Sequence, residues 1–525
     1  MKKQFKIGLV IALMFVALGC EDDYLDFVPQ DAVNAETFDS QLALTGVYNG
    51  LQGQYIFRLR SWNDASLRER ECFTDNSMNG YLWQRFNNLK LQTATAGDNV
   101  MLLRPWRNLY DAILQANETL ANIPGDEGYT EEEKELMIAQ AQVLRAYYYW
   151  QLVVAWDDVP FLTERTLEKQ PKSTAVEIYN ALLPELESAA ALLPGTWPGE
   201  YGRITSHAAN ALITKMALFF YGYHGIDAAL QTAEQASGRI VNSGLFDLYN
   251  GDGLESYRFL FTPGNEQDNE IIWSVQFGSG LGGNNGESIS WTTTTRPYPN
   301  NMPLPNLIDD FYCTDGLPID QSPLYDPSNI QANRDPRLDA TIVFDGEQWL
   351  SDFPPMNIGP ANRRTGFAVD KYCVEERGIG EPGNGEQDYY IFRYPDILLM
   401  RAEALVFQGN TGQEVYDLVN EVRDRVGMPR IEDVEGTGLS ADQLTDIIRH
   451  ERRVELAFED TRFADLKRWG TMEDAYLRSA GDVKVGTTNL ILNGVQYSGE
   501  RSVILPIPEE ELNANELVEQ HPAWR

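Results

Sequence analysis

The run EEEKELMIAQAQVLRAYYYWQLVVAW, from Glu131 to Trp156, constrains the fold more than any other part of the chain. Thr130 and Glu133 are spaced as a capping box, in which a hydroxyl and a carboxylate satisfy free N–H groups of the first helical turn. Beyond them Leu136, Ala139, Val143, Ala146, Tyr147, Trp150 and Val154 recur at helical spacing. The apolar surface is wider than one stripe, so this helix is expected to be packed on several sides.

Further helical periods cover Ala175 to Leu193, Thr205 to Tyr223 and Ile226 to Asn242, then Tyr394 to Gln408, Gln413 to Val426 and Ala441 to Phe458. They come in adjacent pairs. Small residues face large ones within a pair, as in HAANALITKMALFFYG followed by GIDAALQTAEQASG, which is the pattern of tetratricopeptide repeats. The expected fold is mostly α, built of tetratricopeptide-like helix pairs at irregular spacing. A long insertion, 250–390, interrupts them; it is rich in Gly, Pro, Asn, Thr and aromatics and holds one strand-like run, EIIWSVQF. It reads as long loops with short strands, and loops of this length in a compact protein are usually functional. One domain over 38–525 is expected, with a helical scaffold over 38–249 and 391–480 and a C-terminal segment over 481–525.

Hydrophobic content of 43% with 11% aromatics supports a large core and does not fit disorder. The formal charge is -36. Such a field disfavours nucleic acid and anionic lipid surfaces, both of which bind through clustered Lys and Arg. No nucleic-acid partner is expected.

The start, MKKQFKIGLVIALMFVALGCEDDYLD, places Lys2, Lys3 and Lys6 before an apolar run from Ile7 to Leu18, then Gly19 and Cys20. This reads as a signal peptide over 1–19, too short for a spanning helix, which needs about 20 apolar residues. Its removal takes away three lysines and no acid, which shifts the charge from -36 to -39. ALGC resembles a lipoprotein box, so Cys20 is the expected lipidation site and 20–37 a lipidated tether. Several acyl chains there, at about 0.8 kcal/mol per buried methylene, would anchor the chain durably. The remaining Cys72, Cys313 and Cys373 allow at most one disulfide.

No catalytic constellation emerges. Gly278, Gly280 and Gly283 complete G-x-G-x-x-G, but NNGESISW follows instead of a helix that would bind phosphate, so these glycines read as a loop rim. The four histidines, 207, 224, 450 and 521, have no metal-ligand spacing, and no G-x-S-x-G elbow occurs. No metal or cofactor is called for, and the sequence does not speak to a structural calcium ion. The run HERRVELAFEDTRFADLKRWG, from His450 to Gly470, crowds charge into what reads as one helix, with Ile447, Ile448, Val454 and Phe458 as its apolar stripe. Glu451 and Glu455 fall beside that stripe and need cationic partners, for which Arg393 and Arg401 are the leading candidates.

Several stretches together resemble the SusD-like (RagB/SusD) outer-membrane glycan-binding lipoproteins of Bacteroidota. They are CEDDYLD, LRAYYYWQLVVAWDDVPFL, DPRLDATIVF, FRYPDILLMRAEAL with VYDLVNEVRDRVGMP, HERRVELAFEDTRFADLKRWG and LPIPEEELNANELVEQHPAW, in the family's order and spread over nearly the whole chain. Asp460 stands where the family usually has Gly, and Asp tolerates a left-handed backbone; Pro395 replaces an Ala and suits a first helical turn. The resemblance implies a SusD-like α-solenoid scaffold, lipid-anchored in the outer membrane and facing the exterior. It also implies capture of oligosaccharide or polysaccharide for a SusC-type TonB-dependent transporter, without chemistry. A surface polysaccharide hydrolase and a repeat scaffold binding only protein are the alternatives.

Sugars bind such proteins by stacking their C–H faces on aromatic rings while amides, carboxylates and guanidinium groups bond to hydroxyls. The site is therefore expected among aromatics outside the helical motifs. ECFTDNSMNGYLWQRFNN offers Asp75, Asn76, Tyr81 and Trp83; SGLGGNNGESISWTTTTRPYPNN offers Asn284, Trp291, Arg296 and Tyr298. Trp273, Trp106, Trp150, Trp156 and Trp469 read as packing residues.

Overall fold

The computed structural model describes residues 38–52, 67–80, 85–166, 168–278, 301–347, 365–372, 386–480 and 494–525. The tether and Cys20 lie outside them. Eleven longer helices organise the described chain: α1 (Ser40–Asn49), α2 (Leu103–Asn122), α3 (Glu131–Trp156), α4 (Ala175–Leu192), α5 (Ser206–His224), α6 (Asp227–Val241), α7 (Tyr394–Phe407), α8 (Gln413–Arg425), α9 (Ala441–Glu455), α10 (Arg462–Trp469) and α11 (Met472–Ser479). Each of α1 to α6 packs on the next, and α6 packs on α7 although the whole insertion separates them in sequence. The stack is thus continuous across the insertion. α7 then packs on α8 and α9, and α10 closes back on α5.

Local sequence sets these boundaries. Thr130 accepts the N–H of Glu133 while the Glu133 carboxylate accepts that of Thr130, and Thr174 with Glu177 and Ser440 with Gln443 repeat the arrangement at α4 and α9. Pro395 sits in the first turn of α7, where its missing N–H costs nothing. The expected wide burial of α3 holds: every residue from Val143 to Trp156 is buried. Trp106 meets Trp156 edge-on at 5.2 Å, and Trp150 meets Phe219 at 5.1 Å. Burying an aromatic ring contributes roughly 2–3 kcal/mol against the entropy of ordering it.

Four two-stranded antiparallel ladders lie among the helices: β1 (Ser77–Asn79) with β5 (Asn301–Pro303), β2 (Val159–Pro160) with β3 (Lys172–Ser173), β4 (Ile271–Val275) with β8 (Tyr389–Arg393), and β6 (Ile342–Phe344) with β7 (Phe367–Val369). β4 is the expected strand, and its Trp273 is core, 5.1 Å from the Tyr147 ring. β8 runs directly into α7, so the insertion is tied down at its return.

The segment from His450 to Gly470 is not one helix. α9 ends at Glu455; Phe458 and Asp460 then take the left-handed backbone with φ of 65° and 59°, and α10 starts at Arg462. Asp460 thus adopts the left-handed backbone that an Asp tolerates. Phe458 holds the strained conformation because its ring is buried against Leu307, Phe311 and Leu338.

The break aims the charges of this segment inward in several directions. Glu455 accepts from Arg393 at 3.1 Å, Arg425 at 2.5 Å and Arg337 at 3.1 Å, and Glu451 from Arg337 at 2.6 Å and Arg423 at 2.9 Å. Arg393 is thus a partner of Glu455 as expected, but Arg401 is not. Arg401 faces the opposite side of α7 and bonds Glu414 of α8 at 2.6 Å and Glu234 of α6. Burial alone would raise the carboxyls of Glu455 and Glu451, yet the surrounding guanidinium groups hold both below the usual carboxylate range.

A second knot joins α7 to α9 and α5 through Asp396, which meets Arg452 at 2.8 Å and Lys215 at 3.2 Å. Burial opposes its ionisation, but Lys215 and Arg452 outweigh that and bring it down to about 2. A carboxyl depressed in the folded state stabilises above its unfolded value near 4 and loses that contribution as pH falls towards 2. Asp396→Asn should therefore cost about 2 kcal/mol at pH 7 and flatten the stability loss between about pH 4 and 2, read by urea unfolding across that range. Parallel pH profiles for both proteins would show that the pair contributes nothing.

Candidate functional site

The register of β1 and β5 determines what the expected binding segments have in common. Asn79 lies opposite Asn301. The stretch with Tyr81 and Trp83 leaves the sheet just after Asn79, and the stretch with Asn284, Trp291, Arg296 and Tyr298 enters it at Asn301. Those six residues lie outside the described ones, but the described ends from which both stretches depart are side by side.

The base under this sheet is heavily bonded. Lys90 donates to the carbonyls of Thr74 at 2.8 Å and Ser77 at 2.7 Å, and Asn87 exchanges hydrogen bonds with the backbone of Asn79 at 2.8 and 2.9 Å. Asp75 accepts from Arg462 at 3.0 Å on each oxygen and from Arg478 at 2.7 Å, with Arg453 at 3.1 Å. Asn76 accepts from Arg453 at 3.0 Å and donates to Glu71 at 3.1 Å. The Asp75 side chain is 0% exposed.

Asp75 and Asn76 were expected at the ligand; the structure puts them in the foundation instead. Their polarity reads from sequence as hydroxyl-binding chemistry, whereas α9, α10 and α11 bring three arginines to them from more than 370 residues away. Arg453 likewise serves the foundation, bonding Asp75, Asp310 and Asn306.

Two open clefts lie among the described residues besides this sheet. One, of about 680 Å³, runs between α1, the turn at Glu200 to Arg203, and the end of β4 up to Gly278. Its walls carry the amides of Gln41, Asn49, Gln52 and Gln276, and Tyr201, about half exposed, stands at its edge. The size is that of an ordinary small-molecule site. Gly278 lines this cleft, while Gly280 and Gly283 lie outside the described residues. The other cleft, of about 370 Å³, is lined by Tyr312, Arg449, His450, Trp469 and Arg478. Neither was anticipated, since each is assembled from elements distant in sequence; the spacing of Arg449, His450 and Arg453 on one helical face was the available signal for the second.

Two family models match the chain: the SusD family over residues 269–524, and a SusD-like family described as starch-binding and associating with the outer membrane over residues 23–218. The chain belongs to the SusD-like family. A SusD-like protein of Formosa agariphila is 25% identical, over 98% of this chain and 97% of the relative. The solved structure of a SusD-like carbohydrate binding protein from Bacteroides fragilis is 25% identical with a TM-score of 0.77, covering 91% of this chain and 98% of the other. A laminarin binding SusD-like protein, 24% identical with a TM-score of 0.69 over 92% of this chain and 98% of its own, shares the SusD-like fold. The helical stack and its inserted loops are therefore SusD-like features, and the family includes carbohydrate-binding proteins.

Among the described residues of this SusD-like chain, no helix is long and apolar enough to cross a membrane, and no cluster of His, Cys, Asp and Glu suits a metal ion. Cys72 and Cys313 are buried free thiols. Burial pushes the Cys72 thiol far up, which makes it unreactive.

Proposed function

We propose that this chain is a cell-surface lipoprotein, held in the outer membrane through lipidated Cys20 and facing outward. It captures oligosaccharide or polysaccharide without cleaving it and passes the sugar to a SusC-type TonB-dependent transporter. Trp83 and Trp291 are the stacking platform, flanked by Tyr81 and Tyr298, with Asn284 and Arg296 bonding to hydroxyls. The observation that carries this reading is the pairing of Asn79 with Asn301, which gives both aromatic stretches a common base. The saturated bonding of Asp75 supports it, because a rigid foundation lets aromatic platforms bind without first being ordered.

The test is a glycan array, followed by calorimetry on the purified chain, with starch and laminarin among the sugars. Binding in the micromolar to millimolar range is expected, and Trp83→Ala or Trp291→Ala should weaken it at least tenfold, about 1.4 kcal/mol, with the melting temperature unchanged. Full binding by both variants would remove the platform. Release of shortened sugars would instead identify a hydrolase, and transporter association with no sugar bound would leave a protein scaffold.

A further inference from the structure

The face of α9 carrying Arg449, His450 and Arg453 opens on the cleft of about 370 Å³, with Tyr312, Trp469 and Arg478 across from it. In a protein of charge -36 its lining is unusual. Four arginines, Arg449, Arg453, Arg462 and Arg478, line it with Asp310, Asp446 and Asp474; Arg453, Arg462 and Arg478 are bonded to Asp75 behind the wall, and Arg453 also to Asp310. Asp446 and Asp474 stand at the rim, exposed to water, where screening weakens their reach.

Arg449 differs from the other three arginines of the lining. It forms no ion pair with any described residue; its guanidinium lies over the Trp469 ring at 4.9 Å, and its Nε is buried without a hydrogen-bond partner. Glu403, the acid that influences it most, is already bonded by Arg468 at 2.6 Å and by the Trp469 indole at 2.5 Å. Next to it, the His450 ring stacks on Tyr312 at 3.9 Å, and its Nε2 lies 2.7 Å from the carbonyl of Asp310. A carbonyl only accepts, so Nε2 carries the proton. Burial keeps the ring neutral, which leaves Nδ1 as a bare acceptor without a partner.

One cleft thus holds both an unpaired planar donor and an unfilled acceptor, and leaving such buried groups unmet is unfavourable. Their complement is a molecule with an oxyanion next to a hydroxyl. We propose that this cleft binds a sugar residue bearing a carboxylate or sulfate group, its oxyanion on Arg449 and a neighbouring hydroxyl donating to His450. This rests on the glycan-capturing reading and adds a second, charge-selective subsite.

Calorimetric titration of the purified full chain at low salt with glucuronate, glucose 6-sulfate and glucose tests it. One or both acids should bind at least tenfold tighter than glucose, and the one that binds tells carboxylate from sulfate selectivity. Arg449→Gln should abolish that preference with an unchanged melting temperature, and Arg449→Lys should retain part of it. Acids that bind no tighter than glucose, or equally well to Arg449→Gln, would overturn the subsite. If array glycans bind while the acids do not, only the subsite fails; if the acids bind through Arg449 and no array glycan binds, the Trp83 and Trp291 platform fails.

Discussion

Glu455→Ala should destabilise the protein by about 3–5 kcal/mol, the range for removing one partner of a buried ion cluster. The cost comes from what stays behind. Arg337, Arg393 and Arg425 converge on this one carboxylate and have at most 2% of their side chains exposed, so their charges cannot be rehydrated in place. Glu270 and Asp335 would still neutralise part of that charge, which keeps the expectation below a complete loss of folding. For a chain of this size the unfolding entropy is near 1 kcal/mol per degree, so the melting temperature should fall by about 3–5 °C. Scanning calorimetry on the variant reads it directly, and an unchanged transition would mean that the remaining acids satisfy all three arginines.

Asp75→Ala should also destabilise, by about 3 kcal/mol, the low end of that range: Arg453, Arg462 and Arg478 lose their shared acceptor, but Arg478 is 43% exposed and Arg453 keeps Asp310. Here the comparison of stability with binding decides the role. If Asp75 supports the sheet beneath the aromatic stretches, Asp75→Ala and Arg453→Ala lower the melting temperature while the folded fraction keeps most of its affinity. Affinity lost at an unchanged melting temperature would return Asp75 to the ligand.

The helical stack could be read from sequence because capping boxes and apolar spacing are local signals. Thr130 marks a helix start and periodicity places two more at Ala175 and Ala441, all of which the structure reproduces, and the small-large pattern of α5 and α6 matches their pairing. The break after α9 was hidden, since Leu456, Ala457 and Phe458 continue the helical pattern, and only tertiary burial of Phe458 makes its left-handed backbone tolerable. Site chemistry was harder to read for a related reason. Asp75 in a loop has the same appearance whether sugar hydroxyls or buried arginines satisfy it, and the deciding partners lie on helices at the other end of the chain. Arg393 could be paired with Glu455 because it opens a helix next to α9; Arg401, two turns along α7, faces elsewhere.

The contact between α6 and α7 also dictates an order of events during synthesis. α6 ends at Val241 and its neighbour begins only at Tyr394, so a chain emerging from its N-terminus must leave the α6 flank uncovered until the inserted loops have been made. Closing so long a span costs entropy before any contact repays it, which slows the step. For a protein read as exported, this is an argument for staying unfolded, under the care of holding factors, until the whole polypeptide has crossed. Truncations ending before residue 394 should accumulate as sticky half-stacks instead of behaving as independent modules.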